Sequence, residues 1–334
     1  MKEIRKCLQC GGEIINGRNG IPVCKYCGTE YRDNVGGYSE ELESIIRERQ
    51  LGRFADAERL CRELIVKQPE SSEAHWQMLL IRMGVIYEHD ERAAKSEPTF
   101  WGYSYAKKEL ISNNEWYKKT INLAGSTEKR QHYRNLCENL DKLLNDYYAL
   151  VDQSEEYDIF ISFKNTETYF TPEGIEKQKP TYDSKKAEEI YNILTGNATG
   201  FEHNKGKYKV FFSNITLEEE NNIGKKYEPK ILRALQTAKA MILVGSEARF
   251  IESVWVQNEW LRYLNYMDNG IKETGSLILA YKEVESCPPI FLSSVKGRQY
   301  RKVDLDKLGW DRKLLDILSF VETKKPSIWD KKKK

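Results

Sequence analysis

Four short apolar runs, YDIFISF, KVFFSNI, AMILVGS and SLILAYK, punctuate the second half of the chain. Each is rich in β-branched or aromatic residues and long enough for one buried strand. Between them, SKKAEEIYNILTG, YEPKILRALQTA and VWVQNEWLRYLNYM repeat apolar positions every three or four residues, which predicts helices. Strands alternating with helices predict a parallel, doubly wound α/β sheet over residues 157–322. In the last of these helices Val256, Trp260, Leu264 and Met267 share one apolar face, and Trp255, Glu259 and Tyr263 form a second row. Glu259 is therefore placed beside the core, not opposite it. Ligands of such sheets bind beyond the carboxyl ends of the strands, where Phe163, Lys164, Ser213 and the segment after Gly245 would gather.

The pattern before residue 157 differs. Residues 38–153 read as an all-α region in which LGRFADAERLCRELIVKQPESSEAHW resembles one tetratricopeptide repeat. Gly52 and Ala57 stand where two helices cross closely, and Pro69 ends the second helix. One such repeat needs neighbours to bury its faces, so packing against the later helices is expected. The region is either a helical spacer or a module for self-association or sensing. Residues 1–35 carry Cys7, Cys10, Cys24 and Cys27 as two Cys-x-x-Cys knuckles, each followed by glycine. Four thiolates at this spacing suit tetrahedral Zn2+, and a closed four-cysteine site is structural, with no open coordination position. So short a segment has almost no core, and metal binding worth on the order of 10 kcal/mol would supply its folding energy. It resembles a zinc ribbon. Residues 323–334 end in a lysine-rich run that reads as a solvated tail.

Composition acts mainly by exclusion. The 334 residues hold 53 basic and 51 acidic side chains, so no strong net field draws the chain to nucleic acid or an anionic membrane. No apolar run is long enough to span a bilayer, and the start lacks the apolar stretch of a signal peptide, so a cytoplasmic protein is expected. Cys61, Cys137 and Cys287 are scattered, and only four histidines occur, at positions 75, 89, 132 and 203, which leaves little material for a His-based triad.

From Tyr157 to Phe320 the residues resemble the bacterial Toll/interleukin-1 receptor (TIR) domains, through YDIFISF, VFFSNITLEEENNIGKKYEPKI, AKAMILVGS and SVWVQNEW together. The resemblance implies a flavodoxin-like fold and, for the family's enzymes, cleavage of the nicotinamide–ribose bond of NAD+ by the glutamate of W-V-x-x-E, here Glu259. It also implies Phe163 and Lys164 beside nicotinamide and its ribose, with Phe163 as a plain core residue the alternative, and Ser213 where some relatives carry an acid; Trp255, one turn before Glu259, either shields the carboxylate from water or closes the hydrophobic core. The loop from Ile215 to Tyr227, containing Gly224, is the family's usual contact with the next protomer, so homo-oligomers through this domain and the helical region are expected. A zinc ribbon, helices and a TIR domain in series is similar to bacterial defence proteins activated by assembly, with a trigger or protein partner unidentified. The product, hydrolytic or cyclic, stays open. The competing reading is a non-catalytic adaptor that only mediates protein–protein interaction.

Overall fold

The computed structural model describes residue 7 and residues 12–16, 22–26, 40–90, 95–101, 108–213, 228–282 and 288–322. The chain divides into two compact units, Met1–Ala149 and Leu150–Lys334. Among the described residues no helix is long and apolar enough to cross a membrane.

The first unit opens with a small antiparallel hairpin, β1 (Ile14–Asn16) and β2 (Pro22–Cys24), with Ile14 opposite Cys24. Helices α1 (Glu40–Gln50), α2 (Phe54–Lys67) and α3 (Ser72–Arg82) follow. Gly52 takes φ +72° in the turn between the first two, and Ala57 is fully buried. α2 stops at Lys67, ahead of Pro69, which cannot donate a helical hydrogen bond. Ser71 caps α3, accepting from Ala74 N–H at 3.2 Å.

The region expected to be all-α is not. A β-hairpin, β3 (Val85–Asp90) with β4 (Lys95–Phe100), interrupts it before α4 (Glu115–Leu123) and α5 (Thr127–Gln153). Val85, Ile86 and Tyr87 are buried, and the end of α1 serves their backbone. Arg49 Nη1 donates to the Val85 carbonyl at 2.6 Å, and the Gln50 amide both donates to the Tyr87 carbonyl and accepts its N–H. Long-range pairing has overridden local propensity here.

The second unit is built on a five-stranded, wholly parallel sheet in the order β8-β5-β9-β10-β11. Its strands are β5 (Ile159–Ser162), β8 (Val210–Phe211), β9 (Ala240–Gly245), β10 (Leu277–Tyr281) and β11 (Arg301–Asp304). The helices are α6 (Tyr182–Thr195), α7 (Glu228–Thr237), α8 (Ala248–Ile251), α9 (Val254–Asp268), α10 (Pro289–Ser294) and α11 (Trp310–Glu322). Alternate strand residues sort onto two faces. Ile159, Ile161, Ala240, Ile242, Val244, Ile278 and Val303 pack with Ala187, Ile190 and Leu194 of α6 and Leu314 and Leu318 of α11. The other register, represented by Ser162, meets α9. The chain order reverses between β5 and β9, and that crevice at the carboxyl edge is the topological switch point. Between β5 and α6 lies a second antiparallel hairpin, β6 (Thr166–Phe170) with β7 (Glu176–Pro180).

Candidate functional site

Ser162 is the last residue of β5, fully buried in a strand whose other residues are apolar. A buried hydroxyl needs a partner, and Ser162 Oγ donates to Glu259 Oε2 at 2.6 Å. Glu259 thus lies at the carboxyl end of β5, beside the switch point. The α9 rows are those the sequence pattern predicts: Val256, Trp260, Leu264 and Met267 are buried. The second row descends from water into the core, with Trp255 45% exposed, Glu259 half-buried and Tyr263 fully buried.

Although part of the Glu259 side chain reaches the surface, its carboxyl lies deep among protein atoms. Burial pushes its pKa up from 4.5 to about 7, while the Ser162 hydrogen bond and the charge of buried Arg262, one turn further along α9, act in the opposite sense. Near neutral pH the group is divided between acid and carboxylate, poised for chemistry in either form. The approach to α9 is held firmly. Trp260 Nε1 donates to the Ile251 carbonyl at 3.1 Å, and Gly245 lets Ile251 come so close that an added Cβ would lie 2.4 Å from Ile251 Cδ1.

The remaining sequence-derived positions divide. Lys164, two residues beyond β5, is partly exposed, and its carbonyl accepts from Thr181 Oγ1 at the N-cap of α6. Ser213, two residues beyond β8, is half-buried at the same edge of the sheet. Phe163 is 7% exposed, stacks on Phe212 with centroids 5.1 Å apart, and belongs to the core on the α6 face. The ring that the resemblance places against nicotinamide thus takes a packing role on the face opposite Ser162. Ile215–Tyr227, with Gly224, lies outside the described residues, as does the tail 323–334.

At the other end of the chain, Cys7 and Cys24 are buried. Cys7 N–H donates to Gly12 O at 2.7 Å just before the β1–β2 hairpin, and Cys24 ends β2. Cys10 and Cys27, the other two expected ligands, lie outside the described residues. No group of three or more potential metal ligands occurs among the described residues.

Ser162 and Arg262 escape a reading by motif. The signal for Ser162 was present, as the one hydroxyl inside IFIS. No family model, curated protein or solved structure matches this chain.

Proposed function

We propose that residues 157–322 form a TIR-type domain that cleaves the nicotinamide–ribose bond of NAD+, as a glycohydrolase or a cyclase, with Glu259 as the catalytic carboxylate. The observation that carries this reading is a titratable carboxyl, raised to about 7 by burial and oriented by Ser162, at the switch point of a parallel sheet. When the C–N bond breaks, its electron pair leaves with nicotinamide, which departs neutral from a cationic pyridinium and needs no acid. The positive charge passes to the ribose, and an ionised Glu259 is suited to stabilise that oxocarbenium-like centre. Water attacking the anomeric carbon gives ADP-ribose and a proton; an adenine nitrogen attacking instead gives a cyclic product. Ser162 holds one carboxylate oxygen, leaving Oε1 for the substrate.

The wider reading is a cytoplasmic defence or stress protein, working as a homo-oligomer, whose four cysteines Cys7, Cys10, Cys24 and Cys27 hold one structural Zn2+. Incubation of the purified chain with NAD+, followed by mass spectrometry for nicotinamide and the ribosyl product, tests the activity. Nicotinamide release that is lost in Glu259→Gln supports it. No release by the concentrated, assembled parent rejects it in favour of the adaptor reading.

A further inference from the structure

A second buried carboxyl stands at the same crevice, on the other face of the sheet. Asp183, in the first turn of α6, has no exposed surface. Its Oδ1 accepts the backbone N–H of Ser246, the first residue after β9, at 2.9 Å. The Ser246 hydroxyl also favours the ionised carboxyl, yet neither that Oγ nor Asp183 Oδ2 has a partner at hydrogen-bonding distance and angle among the described residues. Burial raises the Asp183 pKa to about 6; the Ser246 contacts lower it, and the nearby charge of Glu247 raises it. Tyr182, its neighbour on α6, also feels its charge. A loop tie alone needs only a neutral acceptor. A carboxyl whose second buried oxygen lacks a well-formed hydrogen bond among the described residues is a costly way to supply it.

The segment that Asp183 grips, Ser246–Ser253 with the short α8 inside it, leads directly into α9. Its far end is fixed by Ile251, packed on Gly245 and bonded to Trp260, the residue after Glu259. Asp183 holds its near end. We propose that Asp183 is a positioning residue for the Glu259 centre, fixing through Ser246 the loop that sets α9, and doing so most firmly when ionised. The inference rests on Glu259 being the reacting carboxylate. An ionised acceptor makes a markedly stronger hydrogen bond to N–H than a neutral one, so protonation of Asp183 loosens the loop. The site then responds to two protons, one on each face of the sheet.

The test compares the full-length parent with Asp183→Asn and Asp183→Ala from pH 5 to 8, following amide hydrogen exchange over 246–253 and nicotinamide release from NAD+. For the parent, Ser246 protection weakens as pH falls through about 6, and the acid limb of kcat/KM steepens there below the Glu259 limb. Asp183→Asn keeps a carbonyl acceptor of the same size but cannot ionise, so at every pH it should resemble the protonated parent, with weaker Ser246 protection and lower kcat/KM at pH 8 and no bend near pH 6. Asp183→Ala exchanges at Ser246 on the order of ten- to a hundredfold faster and loses kcat more than KM. Persistence of the bend near pH 6 in Asp183→Asn overturns the proposal, as does parent-like Ser246 protection in a folded Asp183→Ala. If the alanine variant does not fold, the bend in the asparagine variant decides alone. If the parent releases no nicotinamide, it is the reading of Glu259 that falls, while exchange at Ser246 still decides whether Asp183 holds the loop.

Discussion

At the scale of single residues, the Glu259 carboxyl links stability to activity with opposite signs. Its pKa is raised in the folded state, from 4.5 to about 7, so its protonated form is the one the fold favours. The contribution is fully present below pH 4.5 and is lost as pH rises through about 7, amounting to roughly 3 kcal/mol. Glu259→Gln, permanently neutral, should match the parent's stability near pH 4 and exceed it by about that amount at pH 8, as read from urea unfolding. Turnover should move the other way. Removing the negative charge costs roughly 3 to 4 kcal/mol of transition-state stabilisation, a fall of about 10²–10³ in nicotinamide release. In the parent, kcat/KM should rise with pH through about 7, and the limb in kcat should lie lower, because bound cationic nicotinamide favours the carboxylate. Equal stability of parent and variant at both pH values would show a solvated, unperturbed Glu259. The residue itself was legible in the sequence: two helical rows placed it at the core boundary, and the resemblance attached chemistry to it. Its partner was not, because a contact between residues 162 and 259 depends on which face of β5 meets α9. Asp183 was hidden for another reason, since an acid in a first helical turn reads as an ordinary favourable charge at the helix dipole.

At the scale of elements, legibility followed burial. Strands β5, β9 and β10 are buried almost throughout and show as continuous apolar runs, whereas edge strand β11 alternates Arg301, Lys302, Val303 and Asp304 with only Val303 buried, and carries no such signature. The β3–β4 hairpin was illegible because Lys95–Phe100, with Glu97 and Pro98, looks like neither strand nor core until Val85–Tyr87 pairs with it. One element is completed from a distance. The last carbonyls of α7 have no intrahelical partner, and Lys272, beyond α9, donates its Nζ to Gln236 O at 2.6 Å and to Ala238 O. Burial pushes this amine down from 10.5 to about 7. A lowered folded pKa means that the parent gains stability as pH rises from about 7 toward 10.5, where the amine is neutral in the fold but still donates. Lys272→Met leaves both carbonyls unmatched and should destabilise the α/β unit by about 1–3 kcal/mol. Because the variant lacks the titration, the gap should widen between pH 7 and pH 10. Denaturant midpoints at the two pH values check this, and a gap that does not widen with pH would mean that Lys272 stays charged in the fold and acts as an ammonium.

At the scale of the whole molecule, each unit has its own core: the sheet cluster draws every member from residues 159–321. Cys24→Ser should therefore abolish bound zinc and loosen the first 35 residues, leaving the thermal transition of the α/β unit in place. Metal analysis showing no zinc in chelator-free parent protein would remove the ribbon from the account. The same independence separates chemistry from assembly. Residues 150–334 alone should fold and keep the Ser162–Glu259 bond, since both partners and the core behind them lie within that unit. If assembly through the first unit concentrates and aligns the α/β domains, nicotinamide release by the full chain should climb faster than in proportion to protein concentration. In the truncated chain it should be slower and closer to proportional, because the effective concentration set by the first unit is gone. Titration of both forms over two decades of concentration, with oligomer size followed by light scattering, reads the difference. Identical, strictly proportional rates for both would mean that the α/β unit is a self-contained catalyst and that residues 1–149 act on something other than turnover.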